Sequence, residues 1–127
     1  MTHALEERRR RREELVALAR AYVDDLAQRI TVVAATVAGS VARGDFNVWS
    51  DVDVVIVAEN LPPRTPERMA VVMEGRFPRV QAVAFTPDEF RAAVKKSNRL
   101  VLDAIEHGIP LRGDVAAIVQ AAPMKDR

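Results

Sequence analysis

Asp51 and Asp53 stand two residues apart at the head of an otherwise apolar run, Asp51-Val-Asp-Val-Val-Ile-Val-Ala58. Alternate side chains of a strand share a face, so both carboxylates leave together, with Cα atoms roughly 6–7 Å apart. Like charges so placed repel each other, and a cation relieves them. The chain has no Cys, so a metal must be held by oxygen or His, and an oxygen-only pair favours Mg²⁺ or Mn²⁺ over zinc. The plainer alternative is that Asp51 caps a turn and Asp53 is merely exposed where the strand begins. Upstream, Gly39-Ser40 closes another uncharged run. A residue without Cβ lets a phosphate approach the backbone there, the amides that follow can form an anion-binding nest, and the Ser40 hydroxyl adds a donor. Arg43 and Gly44, four and five residues further on, are placed to serve the same phosphates. Alone, Gly39-Ser40 also reads as an ordinary turn. At a set offset before the paired acids, the combination rarely arises by chance.

The elements that must position these residues can be read from periodicity. Leu15, Leu18, Tyr22, Leu26 and Ile30 recur at three- and four-residue steps, one apolar stripe of a helix from about residue 5 to residue 29. Thr31–Ala38 and Asp51–Ala58 read as buried strands, β-branched and nearly free of charge. Thr65-Pro66-Glu67 opens a helix with Thr65 as its cap, and Met69, Val72, Met73 and Phe77 are its expected inner side. Arg79–Phe85 reads as a third strand. Thr86-Pro87-Asp88-Glu89 is a capping box, and the helix it starts is expected to break near Ser97-Asn98 and resume to His107. Gly108 is the expected left-handed cap, Ile109–Arg112 a short edge strand, and a last helical turn or two follows Asp114. This order fits an α+β (mixed α/β) fold, a small mixed β-sheet with helices packed on it.

With 127 residues, 49% hydrophobic and 29% charged, the chain reads as one domain over residues 1–127 with an ordinary globular balance, not a disordered one. The apolar run from Ile30 to Arg43 is too short to cross a bilayer, and the charged start shows no signal-peptide core. A cytoplasmic setting without a membrane partner is therefore expected. A net charge of +1 is too balanced for a general nucleic-acid binder, so nucleic acid is not expected as the main partner. The basic run Arg8–Arg12, flanked by Glu6, Glu7, Glu13 and Glu14, reads as a solvated, salt-bridged helix face with Glu6–Arg10 and Glu7–Arg11 pairs, or alternatively as an arm for an acidic partner. His3 and His107 read as helix-end residues. Phe46 and Trp49 either stack on a base or anchor the loop that carries them. Lys95, Lys96 and Arg99 read as a solvated patch.

Gly39-Ser40, ten intervening residues and Asp51-Val52-Asp53 together resemble the signature of the DNA-polymerase-β-like nucleotidyltransferase superfamily. The extended form, Gly-Ser-Val-Ala-Arg-Gly with Ser50-Asp51, is most similar to the minimal nucleotidyltransferases. These are small prokaryotic domains, many of them antitoxins paired with helical HEPN-type toxins. The specific match covers Gly39 to about Val57, and the order of elements extends it loosely to about His107. The resemblance implies the nucleotidyltransferase fold, with Gly39 and Ser40 on the β- and γ-phosphates of a nucleoside triphosphate, ATP being the expected one. It implies that Asp51 and Asp53 are catalytic and carry Mg²⁺ (or Mn²⁺), which polarises the α-phosphate and stabilises pyrophosphate as it leaves. An acceptor hydroxyl on a partner protein or small molecule would receive the nucleotidyl group. The family usually has a third acid on the next strand, and here Gln81 stands at that position. A Gln carbonyl can ligate but cannot take a proton. Glu59 and Glu74 lie elsewhere. The alternative is an antitoxin-type binding module with a vestigial site. A chain this small implies that a HEPN-type partner or a homo-oligomer completes the site.

Overall fold

The computed structural model describes residues 2–47, 49–73 and 77–120. In order, the elements are α1 (Thr2–Leu26), β1 (Thr31–Ala38), α2 (Gly39–Arg43), β2 (Val52–Glu59), α3 (Thr65–Val72), β3 (Val80–Phe85), α4 (Pro87–Lys95), α5 (Arg99–His107), β4 (Ile109–Arg112) and α6 (Val115–Gln120). The strands form one mixed sheet in the order β3-β2-β1-β4. β1 runs antiparallel to both β2 and β4, and β2 runs parallel to β3.

β1 and β2 are almost wholly apolar because both faces of the sheet are covered. On one face Leu15, Tyr22 and Leu26 of α1 and Val72 of α3 pack on Val37, Val54 and Ile56. On the other, Phe90 of α4, Val101 and Ala104 of α5 and Ile118 of α6 pack on Ala34, Val55 and Val57. Tyr22 is buried and donates its hydroxyl to the Val72 carbonyl (2.6 Å), and burial pushes the phenol up to about 12.

The sheet-and-helix architecture agrees with the sequence expectation, and several local details differ. α1 ends at Leu26, three residues before the expected boundary. Thr65 is not a cap: it is the first residue of α3, and Arg64 in the cap position makes no side-chain bond to it. α3 buries one row only. Val72 is covered, whereas Met69 and Met73 are 45% and 47% exposed, because the helix is too short and too far toward the sheet edge to bury a wider stripe. Phe77, beyond it, meets Tyr22 edge-on at 5.6 Å. The capping box forms as read, with the Glu89 amide donating to Thr86 Oγ1 and the Thr86 amide donating to Glu89 Oε1. The helix breaks at Ser97 (φ 57°), and Asn98 caps α5 by accepting from the Val101 amide. Gly108 is not left-handed (φ −62°). It is glycine because a Cβ would collide with the Ala104 carbonyl and Thr36 Oγ1. No described helix is long and apolar enough to cross a membrane.

Candidate active site

The register of the sheet explains how the motif is presented. Val52, Val54 and Ile56 face α1, so the alternate residues of β2 face α4 and α5, and Asp53 begins that row. Parallel pairing sets Asp53 beside Gln81 on β3. Asp51, just ahead of β2, keeps the same parity, and Gln81 Nε2 donates to its Oδ2 at 2.9 Å. Arg79 Nε also donates to Asp51 Oδ1 (3.1 Å), and Arg79 Nη2 donates to the Ser50 carbonyl (2.6 Å). The third-acid position thus points at the acid pair, as an amide.

β1 runs directly into α2. Gly39 makes the turn with φ 69°, and a Cβ there would collide with Asp53 Oδ2. The two halves of the motif therefore touch. The Gly39 amide is not open to solvent: it donates to Asp103 Oδ2 on α5 (2.8 Å), and Arg43 Nη1 donates to the same oxygen (3.0 Å). Arg43 also reaches Asp45 (3.2 Å), and these two bonded carboxylates raise its already high pKa. Sequence reasoning placed Arg43 on phosphates; here its guanidinium is held by two acids. Gly44, expected beside it, instead ends α2 in the left-handed region (φ 90°), its amide donating to the Ser40 carbonyl.

An open cleft of about 610 Å³ lies over this point, lined by Gly39, Ser40, Arg43, Asp53, Arg99 and Asp103 together with Leu100, Leu102 and Glu106 of α5. Burial first, and the like charges of Asp51 and Asp103 after it, push the Asp53 carboxyl above its usual range, while Arg43 pulls it down. Asp103 and Arg99 were missed as site residues. They come from a helix some fifty to sixty positions beyond the motif, and no local spacing ties them to it. Arg99, read as part of a solvated patch, lines the cleft and has no ion pair among the described residues. Phe46 is buried and anchors its loop, whereas Trp49 is 86% exposed. His3 and His107 lie beside Glu7 and Glu106. Glu59 ends β2 away from the cleft, and Glu74 lies outside the described residues.

No group of three His, Asp or Glu able to hold a metal occurs among the described residues. The pair Asp51 and Asp53 nevertheless fits Mg²⁺. That ion commonly takes one or two carboxylates and fills its shell with water and substrate phosphates.

The family model for the nucleotidyltransferase domain matches residues 19–107, well over half of the chain. Among solved structures, a protein from Sulfolobus solfataricus provisionally assigned as a nucleotidyltransferase superposes with a TM-score of 0.61 at 17% identity. The alignment covers 81% of this chain and 84% of that one. At this identity the likeness bears on the fold. No curated protein matches the chain.

Proposed function

Because the chain belongs to the nucleotidyltransferase domain family, we propose that it binds a Mg²⁺–nucleoside triphosphate complex in the α2–α5 cleft and transfers the nucleotidyl group to a hydroxyl of a partner protein or small molecule. The observation that carries this reading is the contact between the motif's two halves, where Asp53 fills the space a Gly39 side chain would need. Asp51 and Asp53 would hold the ion, whose chemistry is to neutralise the phosphates and stabilise the departing pyrophosphate. Ser40 faces the cleft with a hydroxyl donor, and Arg99 brings a cation that no described acid engages. The acceptor oxygen bonds to the α-phosphorus as the bond to pyrophosphate breaks. Gln81 can orient that hydroxyl but cannot take its proton, which passes to water. ATP is the proposed nucleotide, the cytoplasm the proposed setting, and a helical HEPN-type protein or a second copy the proposed completion of the site.

A second reading is favoured by one specific arrangement. Gln81 and Arg79 already satisfy the Asp51 carboxylate without metal. A site settled in this way suits an antitoxin-type binding module that neutralises a helical toxin by occupancy. ATP labelled at the α-phosphate, incubated with Mg²⁺, the chain and a candidate helical partner, separates the two by intact mass. Transfer predicts a nucleotidyl adduct that EDTA and Asp53→Asn both abolish. A stable complex that never acquires the adduct would leave occupancy as the function.

A further inference from the structure

The basic run on α1 is not one surface. Arg10 pairs with Glu7 (3.4 Å) and Arg11 with Glu14 (3.3 Å) on the exposed side. Arg8 and Arg12 turn the other way, into the backbone that carries the cleft. Arg12 Nε donates to the Val41 carbonyl at 2.9 Å and its Nη2 to the Ala42 carbonyl at 2.6 Å. Arg8 Nη2 donates to the carbonyls of Gly44 (2.8 Å) and Phe46 (2.6 Å), with its guanidinium carbon 4.5 Å from the centre of the Phe46 ring.

These four carbonyls have a reason to be caught. α2 is five residues long, too short to be stable by its own hydrogen bonds. The amides of Gly44 and Asp45 both donate to the Ser40 carbonyl, so the following carbonyls find no helical partner. Cations at a helix's C-terminal end also meet its negative pole. The donors are launched from a fixed base, because Leu15, Ala19, Tyr22 and Leu26 of the same helix face are buried in the core. Asp103 holds the other end of the segment at the Gly39 amide. Arg8 and Arg12 lie ahead of residue 19, where the family model begins. The clasp is therefore supplied from outside the matched span.

We propose that Arg8 and Arg12 are positioning residues. Their guanidiniums fix residues 41–46, and with them the placement of Ser40 in the cleft, so that they set affinity for the nucleotide's phosphates without touching them. The affinity part rests on the function proposed above; the clasp itself does not. Lysine preserves the charge but cannot present a planar fork to two carbonyls at once. Arg8→Lys/Arg12→Lys therefore keeps the long-range attraction for an anion and removes only the geometry.

Two measurements on the full chain test this, both made well below the melting temperature of each variant. Hydrogen exchange at the Gly44 and Asp45 amides should accelerate about tenfold or more in the double Lys variant while Val54 and Val55 in β2 stay unchanged, as for a local opening. Calorimetric Kd for Mg²⁺-ATP should weaken by about tenfold, since small misplacements of site groups carry effects of at least that size. A merely structural role would lower the melting temperature and leave Kd of the folded protein alone. Unchanged Gly44 and Asp45 exchange overturns the clasp. Accelerated exchange with Kd within twofold of the parent overturns the positioning role. If the parent chain binds no Mg²⁺-ATP, the function proposed above fails, and the exchange measurement still decides the clasp. Should the double variant not fold, Arg8→Lys alone, which loosens only the Gly44 and Phe46 carbonyls, carries the same two readouts.

Discussion

Asp51, just ahead of β2, and Asp53, within it, are the same residue type two positions apart, and they live in different electrostatic worlds. Asp51 sits at the β2–β3 side, where Arg79 and Gln81 donate to both of its oxygens. Asp53 sits at the α2–α5 side, half-buried against Gly39, with Asp51 and Asp103 adding like charge and only Arg43 opposing it. Asp51 is matched without a ligand and does not line the cleft; Asp53 lines it and has no such donors. Spacing makes a carboxylate pair, but the neighbours decide which member is compensated by donors.

The largest effect is expected from turning the settled half into an unsettled one. Gln81→Glu replaces the amide that donates to Asp51 with a third carboxylate beside it. It supplies a base for the acceptor hydroxyl, and general-base assistance is typically worth about 10²–10⁴-fold in rate. Any transfer activity should rise on that scale, while the metal-free protein melts lower and recovers with Mg²⁺. A faster reaction without the Mg²⁺-dependent recovery would detach Gln81 from the metal site.

Next comes the contact that joins the halves of the motif. Gly39→Ala places a side chain at positive φ and drives its Cβ into Asp53 Oδ2, and the two penalties together should cost about 3 kcal/mol. In an Asp53→Ala background the collision is gone, so the same substitution should cost only about 1–2 kcal/mol, the left-handed backbone alone. Urea denaturation of the four proteins gives the coupling. Additive losses would mean that Gly39 and Asp53 do not abut.

How much of this was legible beforehand follows from what each residue needed. β1, β2 and the acid pair were readable because alternation and uncharged runs are local signals, and the parallel register sets Gln81, expected on the next strand, beside Asp53. α2 was taken for a turn, since five residues show no helical period. Asp103 and Arg99 were invisible because only the packing of α5 on β1 and β2 brings them to Gly39. Arg8 and Arg12 read as part of a salt-bridged face, yet their guanidiniums go to backbone carbonyls, and a signal for that existed. The two arginines continue backward, at four- and three-residue steps, the face that becomes Leu15, Ala19 and Tyr22. Met69 and Met73 failed for the opposite reason, an apolar pattern on a helix with too little sheet beneath it.

A smaller effect concerns pH. The Asp53 carboxyl is raised, by burial first and Asp51 second, so the folded chain keeps a proton that the unfolded chain has released. Its contribution to stability is then best below the ordinary carboxylate range and declines as pH climbs through and past it. Melting temperatures of the metal-free protein from about pH 4 to 7 should show that decline. Asp53→Asn should reduce it, and Mg²⁺ should restore stability at neutral pH. An equal decline in Asp53→Asn would assign the titration to another group.

The smallest contrast is between two arginines of the cleft. Arg43 is held by Asp45 and Asp103, whereas Arg99 has no described ion pair. Arg99→Gln should weaken Mg²⁺-ATP about fivefold, the scale of an exposed charge contact, and less so at high salt, with the melting temperature unmoved. Arg43→Gln should lower the melting temperature instead. The reverse pattern would exchange their roles.

The central claim is that the unmatched acid beside Gly39 holds the ion that brings in the nucleotide. Isothermal calorimetry of ATP into the parent chain and into Asp53→Asn, each with Mg²⁺ and with EDTA, tests it most directly. Binding by the parent only with Mg²⁺, weakened at least about tenfold in Asp53→Asn, is the predicted result, since even outer partners of metal sites are worth that much. Equal ATP affinity in EDTA, or in Asp53→Asn with Mg²⁺, would contradict it.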